Sequence, residues 1–211
     1  MIIKTFTFNP VMVNTYVLHD ETSEAIVIDA GCFNQREKSI LHDYLVSNKL
    51  TVKRLINTHL HFDHQFGNRY MFETYGVMPE AHQSDEFLLE RVKAKAIIFG
   101  FPISEDAQAL GSYLNEGDKV TAGNMALRCI HVPGHSPGHL AFYNENQDVL
   151  FCGDILFQGS IGRTDLEQGD HELLISGIQQ KLLILPANTK VYPGHGPSTN
   201  IGYEKNHNPY L

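Results

Sequence analysis

Thr58-His59-Leu60-His61-Phe62-Asp63-His64 follows an apolar run, Val52 to Ile56, that reads as a buried strand, and it places four metal-ligating side chains within six residues. In an extended chain leaving that strand, His59 and His61 lie two apart and point the same way. Asp63 and His64 fall where the chain turns toward a helical stretch, so they can face a neighbouring position. One short segment can therefore supply two ligands to each of two adjacent metals. Neutral imidazole and carboxylate suit zinc, iron or manganese, and the lack of cysteine here argues against a thiolate site. A His-rich surface turn is the plain alternative, and the density of ligands directly after a buried strand speaks against it.

The remaining chain can complete such a centre. Pro-Gly-His occurs at Pro133-Gly134-His135 and again at Pro193-Gly194-His195, each copy closing a β-like run (Leu127 to Val132, Lys190 to Tyr192). Proline ends the strand, glycine lets backbone pass close to an ion, and histidine arrives at the strand's C-terminal edge. A third apolar run, Val149-Leu150-Phe151-Cys152, ends in Gly153-Asp154 and brings a carboxylate to the same edge. Each signal alone is weak. Together they give seven candidate ligands, all at strand ends.

His59-x-His61-x-Asp63-His64, followed by His135, Asp154 and His195, resembles the metallo-β-lactamase superfamily over essentially the whole length. Gly159-Ser160-Ile161-Gly162-Arg163-Thr164-Asp165 and Glu204-Lys205-Asn206-His207-Asn208-Pro209 are similar to the short glyoxalase II-like (hydroxyacylglutathione hydrolase-like) branch. The resemblance implies an α/β fold, an αββα four-layer sandwich of two mixed sheets flanked by helices. It implies two divalent metal ions, zinc first, with iron or manganese as alternatives. His59, His61 and His135 would hold the first ion, and Asp63, His64 and His195 the second, with Asp154 bridging. A basic residue near Arg163 would engage the thiol-carrying part of the substrate through a planar fork that matches a carboxylate. Asn14 and Tyr16 fit a family pattern near the first hairpin, where a structural role is expected.

The implied reaction is hydrolysis of a thioester by a metal-bound hydroxide, with Asp63 fixing the nucleophile. Water of pKa about 15.7 falls to about 7 on a divalent ion, and thiolate leaves without a strong general acid. The alternative is oxidation of a thiol persulfide by O₂ at one iron held by His59, His135 and Asp154, because the same branch segment occurs in persulfide dioxygenases. Glyoxalase II enzymes of full length add a carboxy-terminal helical region that holds glutathione. This sequence ends at Leu211, with Lys205 the last basic residue, so the identity of the thiol carrier stays open.

The 211 residues suffice for one sizeable domain spanning 1–211. A net charge of −8 disfavours a nucleic-acid surface, and no basic block suggests a membrane surface. A small-molecule thioester is the expected partner. Cys32, Cys129 and Cys152 lack metal-type spacing, and Cys129 and Cys152, in apolar strand-like runs, read as small buried hydrophobes. With no long apolar run and no leader-like amino terminus, the expected location is cytoplasmic.

Strands are expected at Ile2 to Phe8, Met12 to Leu18 and Ala25 to Asp29, then a helix through Ile40, Leu41, Tyr44 and Leu45. A second helix should cover Asn68 to Tyr75. Asp29, closing an apolar strand, is a candidate acceptor for the second N–H of a ligating histidine. Residues 83 to 116 read as an insertion near the active site, with Ser84 capping a helix and Ile97-Ile98-Phe99-Gly100-Phe101-Pro102 offering apolar contacts, or else as an ordinary core helix and its connector. Strands near 126–132, 139–143 and 149–152 follow, then a helix from Asp170 with Leu174, Ile178 and Leu182 on one stripe. The other histidines, His139 among them, are expected to pack or to support the ligands.

Overall fold

The computed structural model describes residues 1–103 and 105–211. The first half of the chain builds one mixed six-stranded sheet: β1 (Ile2–Phe8), β2 (Val13–His19), β3 (Glu24–Ile28), β4 (Thr51–Ile56), β5 (Pro79–Ala81) and β6 (Ser112–Tyr113), in that spatial order. The first three strands pair antiparallel and the rest parallel. The second half builds another from β7 (Lys119–Ala122), β8 (Met125–His131), β9 (Leu140–Asn144) and β10 (Val149–Gly153), with a small hairpin of β11 (Leu156–Phe157) and β12 (Ser160–Ile161) beside it. β13 (Lys190–Pro193) and β14 (Thr199–Asn200) complete that sheet in the order β14-β13-β10-β9-β8-β7. Only β10 and β13 run parallel in it.

Side-chain alternation makes the layers. Tyr16, Leu18, Ile26 and Ile28 face Leu127, Cys129, Leu140 and Phe142 in a core between the sheets. The intervening Val17, Ala25 and Val27 turn outward onto α1 (Gln35–Ser47) and α2 (Asn68–Tyr75) through Leu41, Leu45 and Met71. On the far side Ile130, Ala141, Tyr143 and Leu150 meet Leu174, Ile178, Leu182 and Ile201, which belong to helices after β12. The result is the αββα sandwich of two mixed sheets, each buried on both faces, and this is why strands such as β2 and β9 carry no polar face.

Local details differ from the sequence expectation. β2 begins at Val13, since Met12 takes a left-handed φ of 61° and turns into solvent. β3 ends at Ile28, and Asp29 itself is left-handed at φ 51°. Ser84 does not cap a helix: His82 accepts from its N–H, and a 3-10 helix, Gln83–Arg91, precedes α3 (Val92–Ile98). Asp170 caps α4 (His171–Gly177), which widens into a π-type turn over Ile178–Leu182 before α5 (Ile201–His207) closes the chain. The stretch 83–116 also supplies edge strand β6 and Leu114, which joins the inter-sheet core. Among the described residues no helix is long and apolar enough to cross a membrane.

Candidate metal centre

The chain leaving β4 is locked before it reaches the histidines. Asp29 accepts from the Thr58 N–H and hydroxyl, both at 2.7 Å, and its second oxygen lies 3.0 Å from His64 Nδ1. Asp29 thus fixes the His64 ring with Nε2 turned inward, the part of a ligand-orienting carboxylate. Asn57 donates to the His64 carbonyl and accepts from Asn68, which ties the turn to the start of α2. His59 and His64 are fully buried, with ring centroids 4.1 Å apart.

Strand ends of the second sheet bring the other three. His135 follows β8, with Nδ1 2.8 Å from the Arg163 carbonyl and Nε2 2.9 Å from His61 Nδ1. Asp154 follows β10 at 3.5 Å from His64 Nε2, 3.6 Å from His195 Nε2 and 3.7 Å from His135 Nε2. His195 follows β13, Nδ1 resting 3.0 Å from the Val11 carbonyl and Nε2 3.2 Å from Asp63. His59, His61 and His135 form one group of convergent ligand atoms, and Asp63, His64 and His195 another. His59, His64 and Asp154 form a third that joins them. All seven residues singled out in the sequence meet here.

Glycines in the two Pro-Gly-His turns serve different ends. A Cβ on Gly194 would collide with the Asp154 carboxylate and stand 2.7 Å from His64. At Gly134, with φ 134°, it would strike Leu174 and the Asp170 carbonyl, so this glycine admits the start of α4 and not an ion.

The electrostatics divide the site. Burial disfavours imidazolium at His59, His64 and the other rings beside it add to this, and His59 is held well below the usual range. His61, desolvated and facing His135, is pushed down to about 3. Burial opposes charge on His64 as well, but Asp63, Asp154 and Asp29 outweigh it and raise that ring. The Asp154 carboxyl, which burial alone would raise, is carried well below its usual range by His64, His195 and His135. Ligation needs neutral imidazole and ionised carboxylate. His59, His61 and Asp154 already hold those forms, whereas His64, drawn toward imidazolium by its three carboxylates, would release a proton when an ion binds.

His59 Nε2, His64 Nε2 and Asp154 Oδ1 are buried without a hydrogen-bond partner. Each such atom costs roughly 1–3 kcal/mol, and all three lie in groups whose ligand atoms fall within 4.8 Å of one another. Divalent ions bound among these groups would satisfy all three atoms, so the residues fit a metal site.

Three supporting residues were weakly legible or invisible in the sequence. His139, expected only to pack or support, stacks on His59 at 4.5 Å and accepts from the Asp154 N–H. Asp85 was not anticipated: fully buried, it accepts from Leu60 N–H, Ser136 Oγ and Gly138 N–H, joining the two histidine loops. A lone Asp in a 3-10 segment carries no spacing signal, and only the fold reveals it. Arg163 holds His135 through its backbone, while its guanidinium makes a two-pronged contact with Asp165 in solvent. Asn14 donates to the Pro193 and Gly196 carbonyls and Tyr16 to Pro193, the structural role expected of them.

The ligands open into a cavity of about 210 Å³ walled by Leu60, Phe62, Leu88, Val92, Phe99 and Leu166. Phe99 and Phe101 pack against Phe62 at centroid distances of 5.1 and 5.8 Å, which brings the 83–101 stretch over the ligand loop.

A family model described as the metallo-beta-lactamase superfamily matches residues 8–195. The hydroxyacylglutathione hydrolase GloC of Haemophilus influenzae is 37% identical over 200 residues, covering 94% of this chain and 92% of its own. The solved structure of the BLEG-1 B3 metallo-beta-lactamase superposes with a TM-score of 0.87 at 36% identity, covering 100% of this chain and 99% of its own. TTHA1623 in a di-iron-bound form does so with a TM-score of 0.87 at 33% identity, covering 99% and 100%. The sandwich, the ligand groups at its strand ends and the family match agree: the chain belongs to the metallo-beta-lactamase superfamily, and its centre is that of a metal-dependent hydrolase.

Proposed function

We propose that this protein hydrolyses thioesters, hydroxyacyl thioesters of the S-D-lactoylglutathione type first among them, with two divalent ions at the centre. The observation that carries the reading is the pair of three-ligand groups with Asp154 within 3.7 Å of members of both. His59, His61 and His135 would hold one ion, Asp63, His64 and His195 the other, and Asp154 would serve both. Bound ions of this kind lower the pKa of water toward about 7 and polarise a carbonyl oxygen.

The chain's own groups set the rest. Asp63 lines the cavity with His61, His135, Asp154 and His195, which makes it the carboxylate placed to orient attacking water on a bound acyl group. The apolar wall limits competing water and suits an acyl chain. A thiolate leaving group needs no proton donor, and the cavity's other charged residues are Arg91, Lys95, Arg163 and Glu167. The Haemophilus relative's name supports the glyoxalase II-like reading. The stretch 83–116 fits an active-site insertion within one domain, and three unpaired buried cysteines fit a cytoplasmic location.

The test is cleavage of S-D-lactoylglutathione by purified, zinc-loaded protein. Asp63→Ala should lose more than the ten- to hundredfold that follows loss of a ligand's supporting partner. Equal rates in the two proteins would refute the role given to Asp63. Iron is a second reading, favoured by the di-iron-bound neighbour. One iron per chain as isolated, with O₂ uptake on glutathione persulfide, would replace the hydrolase by a dioxygenase using His59, His135 and Asp154. β-Lactam cleavage is assayed alongside because of the BLEG-1 likeness.

A further inference from the structure

The cavity's charge runs against that of the molecule. The chain carries −8, yet outside the ligand set the lining offers Arg91, Lys95 and Arg163 against the single carboxylate of Glu167. These cations are not equally engaged. Arg163 is taken up by Asp165 at 2.7 Å on two nitrogens, and Arg91 leans on Glu167 at 3.6 Å. Lys93, on another face of α3, pairs with Asp106 at 2.7 Å. Lys95 has neither an ion pair nor a side-chain hydrogen bond among the described residues.

Arg91 and Lys95 are one turn apart, so both present to the same side, where like charges weaken a helix unless an anion lies between them. Lys95 is half-buried along the apolar wall and Arg91 is exposed. A lysine so placed can lay its stem on apolar surface and keep its ammonium free to meet an anion. At about 210 Å³ the cavity is smaller than the ~300–1,000 Å³ that encloses a drug-sized ligand. It has room for the acyl group and the first part of the carrier, and the rest must leave past its rim.

We propose that Lys95, with Arg91 beside it, anchors an anionic group on the thiol-carrying part of the substrate, making the site selective for anionic over neutral thioesters. This rests on the thioesterase reading above. The anion is a carboxylate if the carrier is a glutathione-like peptide thiol and a phosphate if it is a coenzyme A-like nucleotide thiol.

Metal-loaded wild type, Lys95→Ala, Lys95→Glu and Lys95→Arg are compared on D-lactoyl thioesters of glutathione, coenzyme A and neutral N-acetylcysteamine. The ratio of kcat/KM for the anionic carrier to that for the neutral one should fall about tenfold in Lys95→Ala and further in Lys95→Glu. The loss should lie in KM, and Lys95→Arg should recover most of it. The carrier showing the larger fall identifies the anion. A ratio unchanged in Lys95→Glu for both carriers overturns the anchor. S-hexylglutathione and S-hexyl-coenzyme A, which have no scissile acyl bond, separate the two claims. If no thioester is cleaved, the hydrolase reading fails, yet a Kd at least tenfold weaker in Lys95→Glu upholds the anchor. Equal Kd values, or no binding by wild type, dispose of it.

Discussion

Asp85 shows how much of this site depends on a side chain that touches no ligand. It accepts three hydrogen bonds from the loops carrying His59, His61 and His135, and it is shut off from solvent. Asp85→Asn keeps the shape but turns a donor toward donors, so it should cost about 2 kcal/mol at neutral pH by urea unfolding. The pH dependence is a sharper test. Burial raises this carboxyl from 3.8 to about 6, against the pull of its hydrogen bonds to Ser136, Gly138 and Leu60. The folded chain therefore binds the proton more tightly than the unfolded one, and the stabilisation is complete below pH ~4 and lost as pH rises through about 6, a swing of about 3 kcal/mol. With chelator present, wild type should lose stability over that interval more steeply than Asp85→Asn, and parallel curves would contradict the burial of this group. The contrast with the seven ligands is instructive. His and Asp in that density announce coordination chemistry, whereas the role of Asp85 is created by loops distant in sequence.

At the level of strands and turns, the sequence was legible wherever an apolar run ended in a chemical group. β4, β8, β10 and β13 all lead to a candidate ligand, and their positions are readable within a residue or two. β5, β6, β7 and β14 were not read, since two to four residues at a sheet's margin carry too little alternation to register. The turn after β13 leaves no room for a side chain at Gly194. Gly194 donates its N–H to the Gly153 carbonyl at 2.8 Å, so the turns bearing His195 and Asp154 are stitched together with no space for a methyl. Gly194→Ala should displace the Asp154 carboxylate and lower bound metal below the wild-type content, measured by elemental analysis of folded protein. Full occupancy in the alanine variant would mean that the turn yields and the carboxylate stays.

For the molecule as a whole, the centre lies where the two sheets meet. His59, His61, Asp63 and His64 leave the first sheet and His135, Asp154 and His195 the second, so bound ions would cross-link the halves. An ion binding only the folded chain at a hundred times its Kd stabilises by about 2.7 kcal/mol, which is roughly 5–10 °C in Tm for a chain of this size. Adding zinc to chelated protein should give a rise of that order in calorimetry, saturating at two ions per chain if the proposed pair of ions is right, and a flat Tm would show that the halves are held by the inter-sheet core alone. That core explains what periodicity could not supply. Strands buried on both faces read as continuous apolar runs, so the four-layer arrangement came from the family likeness, and only the register of Tyr16, Leu18, Leu127 and Cys129 shows which face looks inward.

Glu204 on α5 accepts from the Gly159 N–H and from Thr199 and Asn208, while Asn208 donates to the Ser160 carbonyl. The stretches 159–165 and 204–209, remote in sequence, are therefore one clasp, and three residues beyond Ser160 the Arg163 carbonyl steadies His135. A lesion in the final helix would be transmitted along this short lever to the imidazole it braces, so a substitution far from any ligand could mimic the loss of one.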